Sequence, residues 1–430
     1  MATIKRIKLV LLDTHAVIHR AYHALPDFAS STGEPTGALY GLATMLMKII
    51  ADVSPDYIIA CYDLPQKTFR HEVYKEYKAG RAKADDALIA QLKSSRAIFE
   101  ALNIPIYDCP GFEADDMLGT IVSQVTTDKK LTDVDVVIAS GDMDTLQLVS
   151  GKRVQVFTLK KGITDTIVYD QDGVTTRFGF VPKLLPDYKG LRGDPSDNII
   201  GIAGIGEKTA TTLITTFGTI EDIYKQLKNP KTKTKFKDAG ITDRIIKLLE
   251  DGEEEALFSK TLATIRHDAP TVFTLPEKNW RDGIVPEQVL NLFRMLEFKS
   301  LIGRFEKVLG KSLNDSASPE LAEEKEIVDP HDIQKIGLAL WLLDSEKTTP
   351  TLEDILGFAR ARDFATARDY ILKEIKEKKL SYMYEQVELP IMNIVHEMQE
   401  NGVLLDVEYL KKLSYEYHTE LDKIAKRIHG

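Results

Sequence analysis

Cysteine is almost missing from this 430-residue chain: Cys61 and Cys109 are too few for a disulfide framework, and neither has the neighbours of a zinc site. The natural setting for such a chain is reducing and intracellular, a cytoplasmic one. Long apolar runs are missing too, so no segment has the length needed to cross a membrane. The N-terminal run MATIKRIKLVLLDTHA is short and meets Asp13 and His15, which suits a buried strand better than a signal peptide. Net positive charge is also lacking. With 56 basic against 66 acidic residues the balance is −10, so any contact with nucleic acid must rest on local patches. There is no internal repeat of the solenoid type. At this length two or three domains are expected, the larger with a substantial core.

What the sequence does contain is a series of buried strands that end on acids. IKLVLLDT is apolar through Leu12 and stops at Asp13, TGALYGLATMLMKIIADV reads as a helix over about 36–53, and YIIACYD is a second buried strand that stops at Asp63. This alternation predicts an α/β domain with a parallel sheet, whose strand-end acids face a ligand crevice. A helix over about 86–102 leads to the strand IPIYDC and then to PGFEADDMLG, residues 110–119. There Glu113, Asp115 and Asp116 crowd three carboxylates into four positions. A helix that starts near Phe112 places Glu113 and Asp116 on one face, with Asp115 to the side. In isolation the triplet reads as a charged helix start, favoured by the helix dipole. The other reading is a divalent-metal site, and acids arriving from elsewhere favour it. VDVVIASGDMDTLQLV is a strand through Ala139, a turn at Gly141, and then Asp142 and Asp144. Farther on, Asp194 and Asp197 add a pair three apart.

Three other stretches carry charge or turn chemistry. In residues 64–85, Lys67, Arg70, Lys75, Lys78, Arg81 and Lys83 are interleaved with Phe69, Tyr74 and Tyr77, a mixture suited to phosphates and stacked bases. Its place after a strand end makes it either a lid or arch over the crevice or a solvated loop. VQVFTLKKGITDTIVYD reads as two strands about a turn at Gly162, after which the chain becomes helical. GIAGIGEKTA, residues 201–210, is a glycine turn ahead of Lys208 and a helix, with backbone amides free to meet a phosphate. It has neither the spacing of a Walker loop nor the preceding strand of a dinucleotide site. A lysine-rich segment and helices to about Leu309 follow, and residues 313–326 are polar and acidic, as in a linker. The remainder reads as helical.

With these residues in view, the chain resembles the 5′ nuclease domain found at the N-terminus of bacterial DNA polymerase I, a relative of flap endonucleases. LLDTHAVIHRAYHAL, FRHEVYKEYKAGRAK, PGFEADDMLG, SGDMDTLQL and LRGDPSDNIIGIAGIGEKTA carry the resemblance, in order, over about residues 5–310. It implies a PIN-like α/β nuclease domain with a helical arch, a helical region with a helix-hairpin-helix, and an all-helical extension. The boundaries expected are 1–175, 176–312, a linker at 313–326, a partial and inactive proofreading-like remnant at 327–380, and a truncated start of polymerase thumb helices at 381–430. Lys335 stands where the proofreading domain has a metal-binding aspartate.

For the site, the resemblance implies that Asp13, Glu113, Asp115, Asp116, Asp142, Asp144, Asp194 and Asp197 hold two divalent ions, Mg2+ or Mn2+, through oxygen ligands alone. Asp115, Asp116 and Asp142 are expected as direct ligands, with Glu113 and Asp144 close by and the others acting through water. Asp116 and Asp142 are thus counted as catalytic, together with Lys78 and, behind it, Arg81 at the scissile phosphate. Arg20, Tyr22, Arg70, Tyr77 and Lys83 are expected to meet DNA. Gly204, Gly206, Lys208 and Thr209 would grip duplex phosphates, with a monovalent ion as a further candidate there. The expected partner is DNA with 5′ flaps, nicks or free 5′ ends, RNA primers included, bound by a monomer. The competing readings are a non-catalytic DNA-binding module and an RNA-cleaving relative of the same fold. Against both stand the full set of expected acids, the basic arch and the hairpin.

Overall fold

The computed structural model describes residues 6–25, 29–30, 33–81, 85–161, 165–232, 234–309, 328–345, 347, 350–359, 361, 363–402 and 406–429. Among them, six strands build one sheet in the order β3-β2-β1-β4-β5-β6. These are β1 (Ile7–Asp13), β2 (Tyr57–Cys61), β3 (Ile106–Tyr107), β4 (Val134–Ala139), β5 (Val154–Lys161) and β6 (Asp165–Tyr169). β1 to β5 run parallel, and β6 returns antiparallel on β5. The turn at Gly162 and the linker 313–326 lie outside the described residues.

The central strands are apolar at successive positions because both faces of the sheet are covered. Leu9, Leu11, Val136 and Ile138 enter one core, while Val10, Leu12, Val137 and Ala139 enter the other. The second core is closed by α1 (Thr14–Ala24), α2 (Gly37–Val53), and, beyond the short α3 (Phe69–Val73), by α4 (Asp86–Ser94) and α5 (Arg96–Ala101). The first core is closed by α6 (Ala114–Thr127), α7 (Gln171–Phe178), α8 (Leu185–Arg192), α9 (Glu207–Phe217), α10 (Ile220–Leu227), α11 (Thr234–Asp238), α12 (Asp243–Asp251) and α13 (Glu253–Ala263). The chain then recrosses the molecule. In α14 (Trp280–Gly283) the Trp280 indole N–H donates to the Pro55 carbonyl at 2.8 Å. Phe293 of α15 (Pro286–Met295) and Leu301 and Phe305 of α16 (Lys299–Leu309) are fully buried in the second core. Each such side chain contributes roughly 1.5–3 kcal/mol by leaving water.

β1 has β2 on one side and β4 on the other, so the chain's direction across the sheet reverses beside β1. Ligand crevices in α/β sheets open at the carboxyl ends of strands at such a point. Among the described residues no helix is long and apolar enough to cross a membrane.

The chain divides into two compact units, residues 1–318 and 319–430. The described part of the second is helical: α17 (Pro330–Leu343), α18 (Leu352–Ala359), α19 (Phe364–Glu377), α20 (Leu389–Asn401) and α21 (Val407–His429). Ile336, Leu340, Ile355, Ala367 and Ile371 form its core. Lys335 pairs with Asp332 at 3.2 Å, and its carbonyl accepts the Tyr384 hydroxyl at 3.3 Å.

Candidate functional site

The acids gather where the strand order reverses. Asp13 ends β1 and caps α1, accepting the Ala16 N–H at 3.1 Å and the Ser140 hydroxyl at 2.6 Å. Ser140 follows β4 and its hydroxyl accepts the Asp142 N–H at 2.9 Å, while the Asp142 carboxylate accepts the Asp144 N–H at 2.9 Å. Hydrogen bonds thus tie the two strand ends together and fix where three carboxylates stand. Asp63, two residues beyond β2, accepts the Ala114 N–H at 2.7 Å and so holds the first turn of α6. Asp115, in that turn, faces these acids.

The electrostatics separate this group from the rest. Burial, with the charges of Asp63 and Asp142 added, pushes Asp13 up to about 7 despite its bond from Ser140. Asp144 is also raised to about 7, by burial and then by Asp142, with Lys189 pulling the other way. Burial, then Asp13, Asp142, Asp144 and Asp63, raise Asp115 well above the usual carboxylate range. Burial and crowding thus favour protons or cations over free negative charge at Asp13, Asp115 and Asp144.

The other acids have cations already. Glu113 is the N-cap of α6 and forms a capping box with Asp116, whose carboxylate accepts the Glu113 N–H at 3.0 Å. Asp116 has no exposure, and Arg70 grips it bidentately at 2.8 and 2.8 Å. The Arg266 N–H adds a bond at 2.9 Å. Four donors fill the four acceptor positions of one carboxylate, which leaves none for an ion. Asp116, expected as a direct ligand, instead has its acceptor positions filled by protein donors in this structure. Arg70, expected to meet DNA, is turned inward in the same way: it is 2% exposed and donates also to the Leu262 and Thr264 carbonyls at 2.9 Å each. Tyr77, expected to stack on a base, is 4% exposed and shares its hydroxyl between Glu113 at 3.3 Å and Asp197 at 3.1 Å.

Lys78 bonds Glu113 at 3.0 Å from a left-handed backbone, φ +56°, held by its own N–H on the Asp197 carbonyl at 2.9 Å. A lysine in that region is strained and persists only where its surroundings dictate it. Burial alone would lower its ammonium, but Glu113 and then Asp197 outweigh that and raise it. Arg81 pairs with Asp197, and Lys189 bridges Asp144 and Asp194.

Asp142, Asp144 and Asp194 open into a cleft of about 1030 Å³ whose walls bring Arg20, Arg81 and Arg192. Tyr22 lies beside it on α1, with its hydroxyl on Asp85. Lys83 is outside the described residues. Gly204, Gly206, Lys208 and Thr209 form a separate turn into α9, exposed except for the half-buried Thr209. Its base needs glycine: a Cβ on Gly201, at φ +64°, would meet the Gly193 nitrogen at 2.2 Å.

Asp13, Asp63, Asp115, Asp142 and Asp144 offer only oxygen donors, partly desolvated and, apart from Lys189 on Asp144 and the His15 ring near Asp63, without a basic partner, which is the chemistry a hard divalent cation requires. Among the described residues no three His, Cys, Asp or Glu side chains are drawn close enough to hold an ion as they stand.

Residues 8–179 match the family described as 5′-3′ exonuclease, N-terminal resolvase-like domain, and residues 180–283 match that described as 5′-3′ exonuclease, C-terminal SAM fold. The chain belongs to the 5′-3′ exonuclease family. DNA polymerase I of Bacillus caldotenax is 36% identical over 350 residues, which are 77% of this chain and 38% of that protein. DNA polymerase I of Caldicellulosiruptor bescii is 33% identical over 401 residues, 91% of this chain and 44% of that protein. The chain thus spans about two-fifths of the length of these relatives. A bacteriophage T5 flap endonuclease solved with DNA and metal ions aligns at a TM-score of 0.49 and 19% identity, over 71% of this chain and 100% of that one.

In this 5′-3′ exonuclease the reading of the sequence missed two members of the site. Asp63 carried a visible signal, since YIIACYD ends on an acid just as IKLVLLDT does. Lys189 carried none: within DYKGLRGDPSDN nothing distinguishes a lysine that turns inward onto Asp144 from one in water.

Proposed function

We propose that this member of the family is a divalent-cation-dependent, structure-specific nuclease that hydrolyses phosphodiesters of DNA at 5′ flaps, nicks and free 5′ ends, RNA-primed ends included, in a cytoplasmic setting. The observation that carries this is the group of five partly desolvated carboxylates, Asp13, Asp63, Asp115, Asp142 and Asp144, of which Asp142 and Asp144 open on a cleft with basic walls. Those five would hold the cations, and Asp194 and Asp197 would assist through water. When bound, divalent cations supply activated water and neutralise the leaving oxygen. The chain's own residues do the rest. Lys78 and Arg81 exchange their carboxylate partners for the phosphate at which charge grows. Glu113, Asp197 and Tyr77 keep that lysine and arginine oriented. Asp116 and Arg70 fix the helix start that presents Asp115. The turn with Gly204, Gly206, Lys208 and Thr209 grips duplex phosphates irrespective of sequence. Residues 1–175 would catalyse and 176–312 bind duplex, while 327–430 take no part in this chemistry.

Cleavage of a labelled 5′ flap, a nicked duplex and single-stranded RNA tests the reading. Flap cleavage that needs Mg2+ or Mn2+ and stops in D142A, with binding kept, is the expected result. Activity in excess chelator, or a preference for the RNA, overturns it.

A further inference from the structure

Two arginines of the cleft differ from Arg81 and Lys189 beside them. Arg81 and Lys189 are paired with acids of the site. Among the described residues neither Arg177 nor Arg192 has a carboxylate partner, although Glu207 lines the same cleft. Aromatic rings hold them instead. Arg177, in the last turn of α7, donates to the Tyr169 hydroxyl at 2.7 Å, and its guanidinium lies 5.7 Å from the Tyr169 ring centre and 5.5 Å from that of Phe178. Arg192, at the end of α8, lies 5.7 Å from the Tyr188 ring centre. The rings support one another, with Phe178 and Tyr188 at 6.3 Å and both packed on Phe180 at 5.8 and 5.3 Å. A guanidinium seated on a ring face is oriented yet keeps its charge and most of its donors, as recognition of a phosphate needs. Both arginines are exposed, and both line the cleft that holds Asp142 and Asp144. Arg192 also stands at the end of the helix that leads into the glycine turn.

We propose that Arg177 and Arg192 form a phosphate subsite that holds the substrate strand next to the scissile bond, on the side towards the glycine turn. The proposal rests on the nuclease reading above. The ligand is a backbone phosphodiester, so the subsite is indifferent to base sequence, and the two arginines are positioning residues that take no part in bond cleavage.

The test uses the full chain, a labelled 5′-flap duplex, and the variants R177Q, R192Q and R192K, with thermal melting to establish that each folds. Each Gln variant should raise KM about tenfold at unchanged kcat. The slope of log affinity against log salt should fall by about 1 per arginine removed. R192K keeps the charge without the planar stack and should recover part of the loss. It carries the same comparison if a Gln variant melts early. Unchanged KM and salt slope in folded variants overturn the subsite, as does a fall in kcat at constant KM. Wild-type protein that neither binds nor cuts the duplex brings down the nuclease reading, and the subsite with it.

Discussion

Asp115 and Asp116 are neighbours in sequence under opposite electrostatic conditions. Asp116 faces inward against α3, where Arg70 and two backbone amides saturate it. Asp115 faces the strand ends, where it meets Asp13, Asp142, Asp144 and Asp63. One carboxylate therefore holds the fold together, and the other costs stability that only a cation or a proton relieves. A single residue's step around a helix separates the two roles.

The largest effect that sharpens this contrast is on catalysis. Replacing Asp115 or Asp142 with Ala should lower flap cleavage on the order of 10³-fold, as loss of several kcal/mol of transition-state stabilisation requires. The melting temperature of D115A in chelator should hold or rise, because a repelled charge has gone, whereas D142A also gives up the capping bond from the Asp144 N–H. A drop of many degrees in D115A would move that residue into the structural group. Next comes D116A, which leaves the buried Arg70 guanidinium with only the longer Glu113 contact at 3.5 Å and should cost about 3–5 kcal/mol in urea unfolding. Equal stability of D116A and wild type would break the comparison.

A third effect concerns pH. Asp13 and Asp144 are raised in the folded chain to about 7, above the unfolded value of about 3.9. Between those limits the folded state binds more protons than the unfolded one, so their contribution is complete below about pH 4 and is lost as pH rises through about 7. Melting curves in chelator should show that loss in wild type and a shallower one in D13N; an identical slope in D13N would contradict the raised Asp13. The smallest effect belongs to an exposed pair, Lys237 with Asp243 at 2.9 Å, where D243N should change unfolding free energy by less than about 0.5 kcal/mol.

Much of this was legible in the sequence. The strand-end acids and the glycine turn follow from patterns a few residues long, and the unbroken apolar runs of β1 and β4 announce strands covered on both faces. The charged-cap reading of PGFEADDMLG holds for two of its acids, since the three-residue spacing of Glu113 and Asp116 makes a capping box, while Asp115 stands apart beside the strand-end acids. What stayed hidden depends on contacts far apart in sequence. Arg70 and Tyr77 have the composition of a phosphate-binding loop, and nothing local says that Leu262 and Thr264 carbonyls wait for the guanidinium. The amphipathic helices α15 and α16 have an apolar stripe, but a stripe does not name its partner, so their return to the second core was not foreseen.

The Arg70 contact has a consequence for how this protein can change over time. The two matched family regions meet at residues 179 and 180, yet Arg70 of the first is held by carbonyls at the end of α13 in the second. Because the acceptors are main-chain atoms, the side chains at 262 and 264 do not take part in that bond directly, although Leu262 is itself buried. The path of the backbone is not free. Recombination between relatives can therefore exchange the sequence of the helical part, but only with versions that bring the same two carbonyls to the same place.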